Sequence, residues 1–288
     1  MGRLKRFLLI FVLAFFAAGA YFFYTVQIFE QPKIFFNSAQ PSSLTPQNQY
    51  CFAVNSPLQI IRQNRFKFVV WNIHKGLDKG WQQSLQQFAQ EADFLLLQEV
   101  ASTQQLAQEI PQFSTALYVT SFSYLGRESG VSILAKTMPQ RICGGAEKEP
   151  WILIPKVGNA MTFPLQNGQS LLVVNLHLVN FEFHPTSYRN QLENMMRLIA
   201  QHQGPIILAG DFNSWNQPRL NLVRRFAKQY QLNEVNYHPD ERLRFLTNPL
   251  DHVFVRGLNV ITSTTVKTSS SDHNPIFVEV ALDKPNSK

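Results

Sequence analysis

Six short apolar runs in this chain end or begin on residues that can do acid, base or metal chemistry. The run from Pro205 to Trp215, PIILAGDFNSW, changes character most abruptly. Ile206 to Ala209 reads as a strand buried on both faces, Gly210 breaks it, and Asp211 and Asn213 follow two residues apart. A carboxylate and a carboxamide at the end of a rigid buried strand can point into one cleft. A lone Asp-x-Asn is more often a turn in which both side chains bond their own backbone, so repetition is what matters. FKFVVWN delivers Asn72, FLLLQE delivers Glu99, and LLVVNLHLVN delivers His177 and Asn180. PLDHVFV begins with Asp251 and His252, and SSSDHNPIFVEV opens with Asp272 and His273. Asp, Glu, Asn and His at these tips, with no Lys among them, point to one metal-assisted acid/base site.

Hydrolysis of a phosphate ester needs these residue types. Growing negative charge must be neutralised, a water prepared in line with the leaving oxygen, and that oxygen stabilised as it departs. Glu99 is the best ligand for a hard ion such as Mg²⁺, with Asn72 and Asp272 adding oxygens directly or through water. Asp211 is suited to orient or deprotonate the water, and Asn213 to donate hydrogen bonds to the phosphate or nucleophile. His273 can contact the phosphate if Asp251 fixes its other ring nitrogen, and His177 can contact the phosphate or help the leaving oxygen. His252 should face away from Asp251 on the same strand and be structural. His74 could rim the site, while His184, His202 and His238 lie in polar or helix-end contexts and are set aside.

The elements that must position these tips are a mixture. Trp81, Leu85, Phe88 and Ala92 recur at helical spacing, as do Tyr188, Leu192, Met195 and Ile199 within Thr186 to Gln201. Ser102 and Gln105 form a capping-box pattern ahead of a helix carrying Leu106, and Pro218 suits the start of another helix. TALYVT, GVSILAK, WILIPKV and LLVVNLHLV read as regularly spaced antiparallel strands. Three more strands are expected near 251–255, 260–266 and 276–282. This mixture predicts an α/β protein of two facing sheets with helices packed outside.

The N-terminus is a separate object. Arg3, Lys5 and Arg6 precede twenty-three uncharged residues, Phe7 to Phe29, long enough to cross a bilayer as a helix. Residues 1–29 are expected to anchor the protein in the inner membrane as a single pass, with the domain on the extracytoplasmic side. A cleaved signal peptide is the rival, since Ala18-Gly19-Ala20 is a small-x-small site; secretion follows in that case, and a cytoplasmic domain is the remaining alternative. Pro32, Pro41, Pro46 and Pro57 mark 30–64 as linker and lead-in, which leaves 65–288 as the folded domain. Setting residues 1–45 aside removes four basic residues and one acidic one, lowering the net charge from +7 to +4. That mild bias suits a phosphate-bearing substrate and falls short of a nucleic-acid-binding stripe. Cys51 and Cys143, without CxxC spacing, argue against a zinc site; in an oxidising compartment they could pair, but sequence separation leaves that open.

WNIHKG, LLLQEV, VVNLHL, GDFN, LDHVFV and SDHNP occur in the chain order of the endonuclease/exonuclease/phosphatase superfamily, which this chain resembles from about Phe66 to Leu282. That group includes DNase I, exonuclease III and neutral sphingomyelinases, and the likeness is to its YafD-like bacterial branch. The resemblance implies a four-layer α/β/β/α sandwich with two facing mixed sheets and Mg²⁺ (or Mn²⁺) bound chiefly by Glu99. It also implies hydrolysis assisted by Asp211 and by the Asp251 with His273 pair. His177 stands where abasic-site endonucleases use a tyrosine, which points away from abasic-site repair. The expected substrate is a phosphoester, either a nucleic acid or a phospholipid or inositol phosphate, and the protein is expected to be a monomer. Arg127 and Arg189 could touch that phosphate or be surface charges. The competing class is a non-catalytic, membrane-anchored binding domain that keeps the fold.

Overall fold

The computed structural model describes residues 2–150, 153–182 and 185–283. Its first half runs α1 (Gly2–Thr25), β1 (Val26–Ser38), β2 (Ser43–Pro46), β3 (Cys51–Asn55), β4 (Arg65–Asn72), α2 (Trp81–Ala89), β5 (Phe94–Ala101), α3 (Leu106–Glu109), β6 (Thr115–Tyr124), β7 (Arg127–Ala135), β8 (Arg141–Lys148) and β9 (Pro155–Pro164). The second half adds β10 (Ser170–His177), α4 (Thr186–Gln201), β11 (Ile206–Asp211), α5 (Gln217–Gln229), β12 (Asn233–Glu234), β13 (Arg244–Phe245), β14 (Asn248–Pro249), β15 (Asp251–Arg256), β16 (Leu258–Thr265) and β17 (Ile276–Leu282).

Among the described residues, seven strands form one sheet in the order β1-β6-β7-β5-β4-β17-β16, and eight form a second in the order β12-β15-β11-β10-β9-β8-β3-β2. Both are mixed, with β4 parallel to β5 in the first and β10 parallel to β11 in the second. The continuous apolar runs follow from burial on both faces. In β4, Phe68 and Val70 point between the sheets while Val69 and Trp71 point outward to Leu85 and Ala89 of α2. In the second sheet, Val173 and Ile207 face the first sheet, while Val174 and Leu208 meet Leu192 of α4 and Phe226 of α5. The order of layers is therefore helix, sheet, sheet, helix.

Two buried polar residues cross the central layer. Asn175 donates from Nδ2 to the carbonyls of Leu97 (3.0 Å) and Ser132 (3.1 Å), and accepts from Gln98 Nε2 at 2.5 Å. Asn159 donates to the carbonyl of Leu117 at 2.8 Å. Each bonds backbone of the opposite sheet, which fixes the sliding register that apolar contacts leave loose.

The structure differs from the sequence expectations at several points. The 30–64 stretch, read from its prolines as a linker, supplies strands: β1 pairs with β6 at one sheet edge, and β3 pairs with β8 in the other sheet. The apolar run expected to span the membrane to Phe29 is helical only to Thr25, because Val26 already pairs with Tyr124. Gln104 rather than Gln105 completes the capping interaction, its Oε1 accepting from Ala101 N at 2.7 Å, and Ser102 Oγ instead accepts from Glu128 N. The strand expected from Trp151 starts at Pro155; Trp151 and Ile152 lie outside the described residues.

Cys51 and Cys143 face each other in the β3–β8 register with Cα atoms 4.1 Å apart, and they form a disulfide across 92 residues. Replacing Cys51 by Ser is expected to lower unfolding free energy by about 2–5 kcal/mol, the range for a cross-link that closes a long loop. Urea unfolding of the oxidised protein and the variant, side by side, reads this directly; coincident midpoints would show the bond to be dispensable.

Candidate active site

Three neighbouring strands of the second sheet bring their ends into line. His177 of β10 is the register partner of Asp211 of β11, and Asp211 is in turn the partner of Asp251 of β15. Gly210 makes this row possible. Its φ is +138°, and a Cβ there would lie 2.0 Å from the Leu176 carbonyl, so only glycine lets β11 pass so close to β10. Asn213 follows in the left-handed region at φ 46°. Its backbone N–H donates to Asp211 Oδ1 at 2.9 Å and its Nδ2 to the Leu178 carbonyl at 2.9 Å. The turn reading of Asp-x-Asn is thus present as well. Asn213 is buried and one amide hydrogen serves the backbone, which limits what it can offer a phosphate.

The other sheet delivers Asn72 and Glu99. Asn72 ends β4 and donates from Nδ2 to Asp211 Oδ2 at 3.1 Å, joining the two sheets at the site. Glu99 sits at a register shift between Leu97 and Val100, where β5 bulges against β7, and its φ is 52°. A bulge turns one side chain out of the alternation, and a left-handed non-glycine residue costs roughly 1–2 kcal/mol that the surrounding sheet must offset. His74 (φ 44°) and Lys75 (φ 56°) occupy the same backbone region nearby. Such conformations concentrate where side chains are aimed at a common point.

His273 arrives from the loop before β17. Ser271 Oγ donates to the Asn72 carbonyl at 2.7 Å, and Trp71 Nε1 donates to the His273 carbonyl at 2.9 Å, so this loop is pinned to the end of β4. His273 Nδ1 lies 2.8 Å from Asp251 Oδ2, and its Nε2 is 3.9 Å from Asp211 Oδ2. His177 Nε2 lies 3.5 Å from the same Asp211 oxygen and 4.0 Å from Glu99 Oε1. Asn72, Glu99, His177, Asp211, Asn213, Asp251 and His273 therefore converge. Asp272 stands at the rim instead, half exposed, 3.9 Å from His74 Nδ1. His252 faces the other way, between Glu234 and Ser214 at 2.8 Å each. His184 lies outside the described residues. Arg189 is an exposed residue of α4, and Arg127 lines the cavity beside Glu99.

The two site histidines are driven in opposite directions. Burial, reinforced by the Lys156 ammonium, pushes His177 down to about 4 despite the carboxylates of Asp211 and Glu99. Burial also opposes charge on His273, but Asp251 outweighs it, with Asp211 and Asp272 adding to the effect, and lifts it to about 10. At neutral pH one ring is neutral and the other cationic. Burial of Glu99 favours its neutral form, yet the positive charge of its neighbours holds the carboxyl well below the usual range. Protonated His177 contributes most of that positive charge in the acidic range, followed by Lys75 and Lys156.

Those lysines correct the expectation that the site lacks them. Lys156 Nζ donates to His177 Nε2 at 3.1 Å, which places the ring proton on Nδ1, and Lys75 Nζ bonds Glu99 Oε2. Lys75 stands inside WNIHKG, so its motif was in view; Lys156 follows an apolar run like the other tips, but at a strand start. Arg219 left no signal. It is fully buried, stacked between Tyr188 and Trp215, and donates to the carbonyls of Val179 (2.6 Å), Asn180 (2.8 Å) and Asn213 (3.2 Å). One guanidinium thus holds the backbone after His177 and after Asp211 together. Arg219→Met is expected to destabilise the fold by about 3 kcal/mol or more, since these carbonyls and that of Glu182 (3.4 Å) lose a charged donor. Chemical denaturation measures it, and a loss under 1 kcal/mol would contradict the clamp.

The model of the Endonuclease/Exonuclease/phosphatase family matches residues 69–273. A UPF0294 protein of Vibrio parahaemolyticus is 34% identical over 281 residues, covering 97% of this chain and 99% of its own. Among solved structures, an endonuclease/exonuclease/phosphatase from Beutenbergia cavernae superposes with a TM-score of 0.59 at 16% identity, covering 76% of this chain and 72% of its own. The human Nocturnin catalytic domain with bound sulfate anion gives 0.58 at 17% identity, covering 78% and 97%.

Proposed function

The chain belongs to the endonuclease/exonuclease/phosphatase family, and from that premise we propose that it is a divalent-metal-dependent phosphoester hydrolase held at a membrane by α1. One observation carries the reading: Asp211 lies between a neutral and a cationic imidazole, His177 and His273, at 3.5 and 3.9 Å. Titratable groups whose environments push their proton affinities apart are the mark of an acid–base site.

Asp211 Oδ2 accepts a proton from the attacking water. The His273 imidazolium, held by Asp251, faces the negative charge that grows on the phosphate oxygens. Lys156 adds positive charge beside His177, where the ester oxygen departs. The donor set also fits a hard divalent ion. Glu99 is ionised and already attracts a cation, the Lys75 ammonium, and the Asn72 amide oxygen, which accepts from His74 N at 3.1 Å, keeps a second lone pair. Glu99 and Asn72 would hold Mg²⁺ or Mn²⁺, with Asp272 reaching it through water; bound there, the ion supplies charge neutralisation at the phosphate. The buried group of Asp211, Asp251 and His273 is a second set of possible ligands, but His273 Nδ1 is committed to Asp251.

Membrane tethering is supported by the length of Arg3–Thr25, by its most apolar eighteen-residue stretch, none of which is buried, and by the basic residues at its start. The Cys51–Cys143 disulfide supports an oxidising, extracytoplasmic location for the domain. The test uses the detergent-solubilised full chain. Mg²⁺ is expected to raise its melting temperature and to be required for cleavage of bis(4-nitrophenyl) phosphate, and Glu99→Gln is expected to abolish both responses. Metal-independent melting together with no turnover on that diester, a phosphomonoester or DNA would overturn the reading.

A further inference from the structure

A cavity of about 540 Å³ is lined both by the neighbours Glu99, Lys156 and His177 and by Val26 with its strand partner Tyr124. That volume is of ligand-binding size, and Val26 is the first residue beyond α1. The junction is well made. Leu125 N donates to the Thr25 carbonyl at 2.8 Å, Val26 pairs with Tyr124, and the hydroxyls of Tyr21 and Tyr124 lie 3.1 Å apart. The C-terminal turn of α1 is thereby fastened to the β6–β7 hairpin that walls the cavity.

The lining changes character along its length. Val26, Leu77, Phe122, Tyr124, Ile154 and Val157 give it apolar surface; Lys156 beside His177 and Lys75 paired with Glu99 carry charge at one end, while Arg127, the register partner of Tyr124, and Glu128 stand near Val26. Leu77 is 68% exposed and Leu125, at the hairpin tip, 58%. Exposed apolar side chains beside the end of a membrane helix gain free energy by entering the bilayer interface, and Tyr124 has the amphipathic ring favoured there.

We propose that the substrate is a membrane phospholipid taken from the bilayer through this cavity, its hydrocarbon along the apolar surface near Val26 and its phosphate against Lys156 beside His177. This rests on the hydrolase reading and on α1 as an anchor. The reaction forms a bond from water oxygen to phosphorus and breaks one phosphorus–oxygen ester bond. One water proton passes to Asp211 and the other stays on the new phosphate oxygen, while the departing oxygen takes a proton from the Lys156 ammonium, which regains one from Asp211 through solvent; the products are an alcohol and a phosphate monoester.

The test reconstitutes the full chain in phosphatidylethanolamine/phosphatidylglycerol vesicles with Mg²⁺. It compares cleavage of the vesicle lipid with that of glycerophosphoglycerol, which has the same diester without acyl chains, of single-stranded DNA, and of bis(4-nitrophenyl) phosphate. The lipid is expected to exceed the acyl-free diester at least 100-fold in kcat/KM. Leu77→Asp is expected to lower lipid cleavage at least ten-fold more than cleavage of bis(4-nitrophenyl) phosphate. If glycerophosphoglycerol or DNA matches or exceeds the lipid, or Leu77→Asp lowers both rates equally, the lipid assignment is overturned while the hydrolase reading stands. If nothing is cleaved, both fall.

Discussion

Asp211→Asn is expected to lower phosphoester turnover by about 100-fold or more, the scale of a lost general base together with its electrostatic share. The substitution is close to isosteric. Its amide oxygen can still accept from Asn213 N, as Asp211 Oδ1 does at 2.9 Å. What disappears is the negative charge between His177 and His273, and with it the acceptor for the proton of the attacking water. The carboxylate is buried and touches both sheets, so a structural role alone could mimic the loss. Measuring kcat with bis(4-nitrophenyl) phosphate alongside the melting temperature separates the two. A variant that melts like the parent but keeps its rate within three-fold would remove Asp211 from the chemistry.

Asp251→Asn is expected to act through His273 and to show itself in the pH profile. In the parent protein the imidazolium persists to about pH 10 because Asp251 lies 2.8 Å from Nδ1. An amide removes that charge, and the ring should return toward its ordinary value of about 6.5. The alkaline limb of the rate profile should therefore move from near pH 10 to near neutrality, with about a 30-fold loss at pH 8, the fall in imidazolium about 1.5 pH units above its ordinary value. Stability has the same origin. A group whose proton affinity is raised by folding contributes stability fully present below its unfolded value, about 6.5, and lost as pH rises through the folded value of about 10. Denaturation midpoints of the parent should thus fall between pH 7 and 10 more steeply than those of Asp251→Asn. Parallel pH dependences in the two proteins would show that the pair does not couple.

The residues most legible in the sequence were those whose side-chain type contradicted their surroundings. Asp211 and His177 interrupt apolar runs, and runs buried on both faces have only their ends free for polar groups. The alternation within FKFVVWN was less visible, since Phe68 and Val70 meet one layer while Val69 and Trp71 meet another. Residues that act through backbone left little trace. Nothing in the spacing of Arg219 shows that it will collect the carbonyls of Val179, Asn180 and Asn213, because those acceptors exist at every residue. The bulge that aims Glu99 was hidden for the same reason, being a matter of φ rather than composition. Prolines misled at 30–64, where edge strands tolerate them: Pro32 falls in the register shift between Ile28 and Lys33 of β1, and Pro46 ends β2.

The passage from α1 to β1 occurs between Thr25 and Val26, with no residue left over as a tether. A head carried on a slack cord would sweep a hemisphere and meet solutes from every side. With α1 as the proposed anchor, the head is more like a tool bolted to a rail, travelling laterally with the bilayer and presenting one orientation to it. Collisions are then counted per unit area rather than per unit volume, and surface density becomes the quantity that sets the encounter rate.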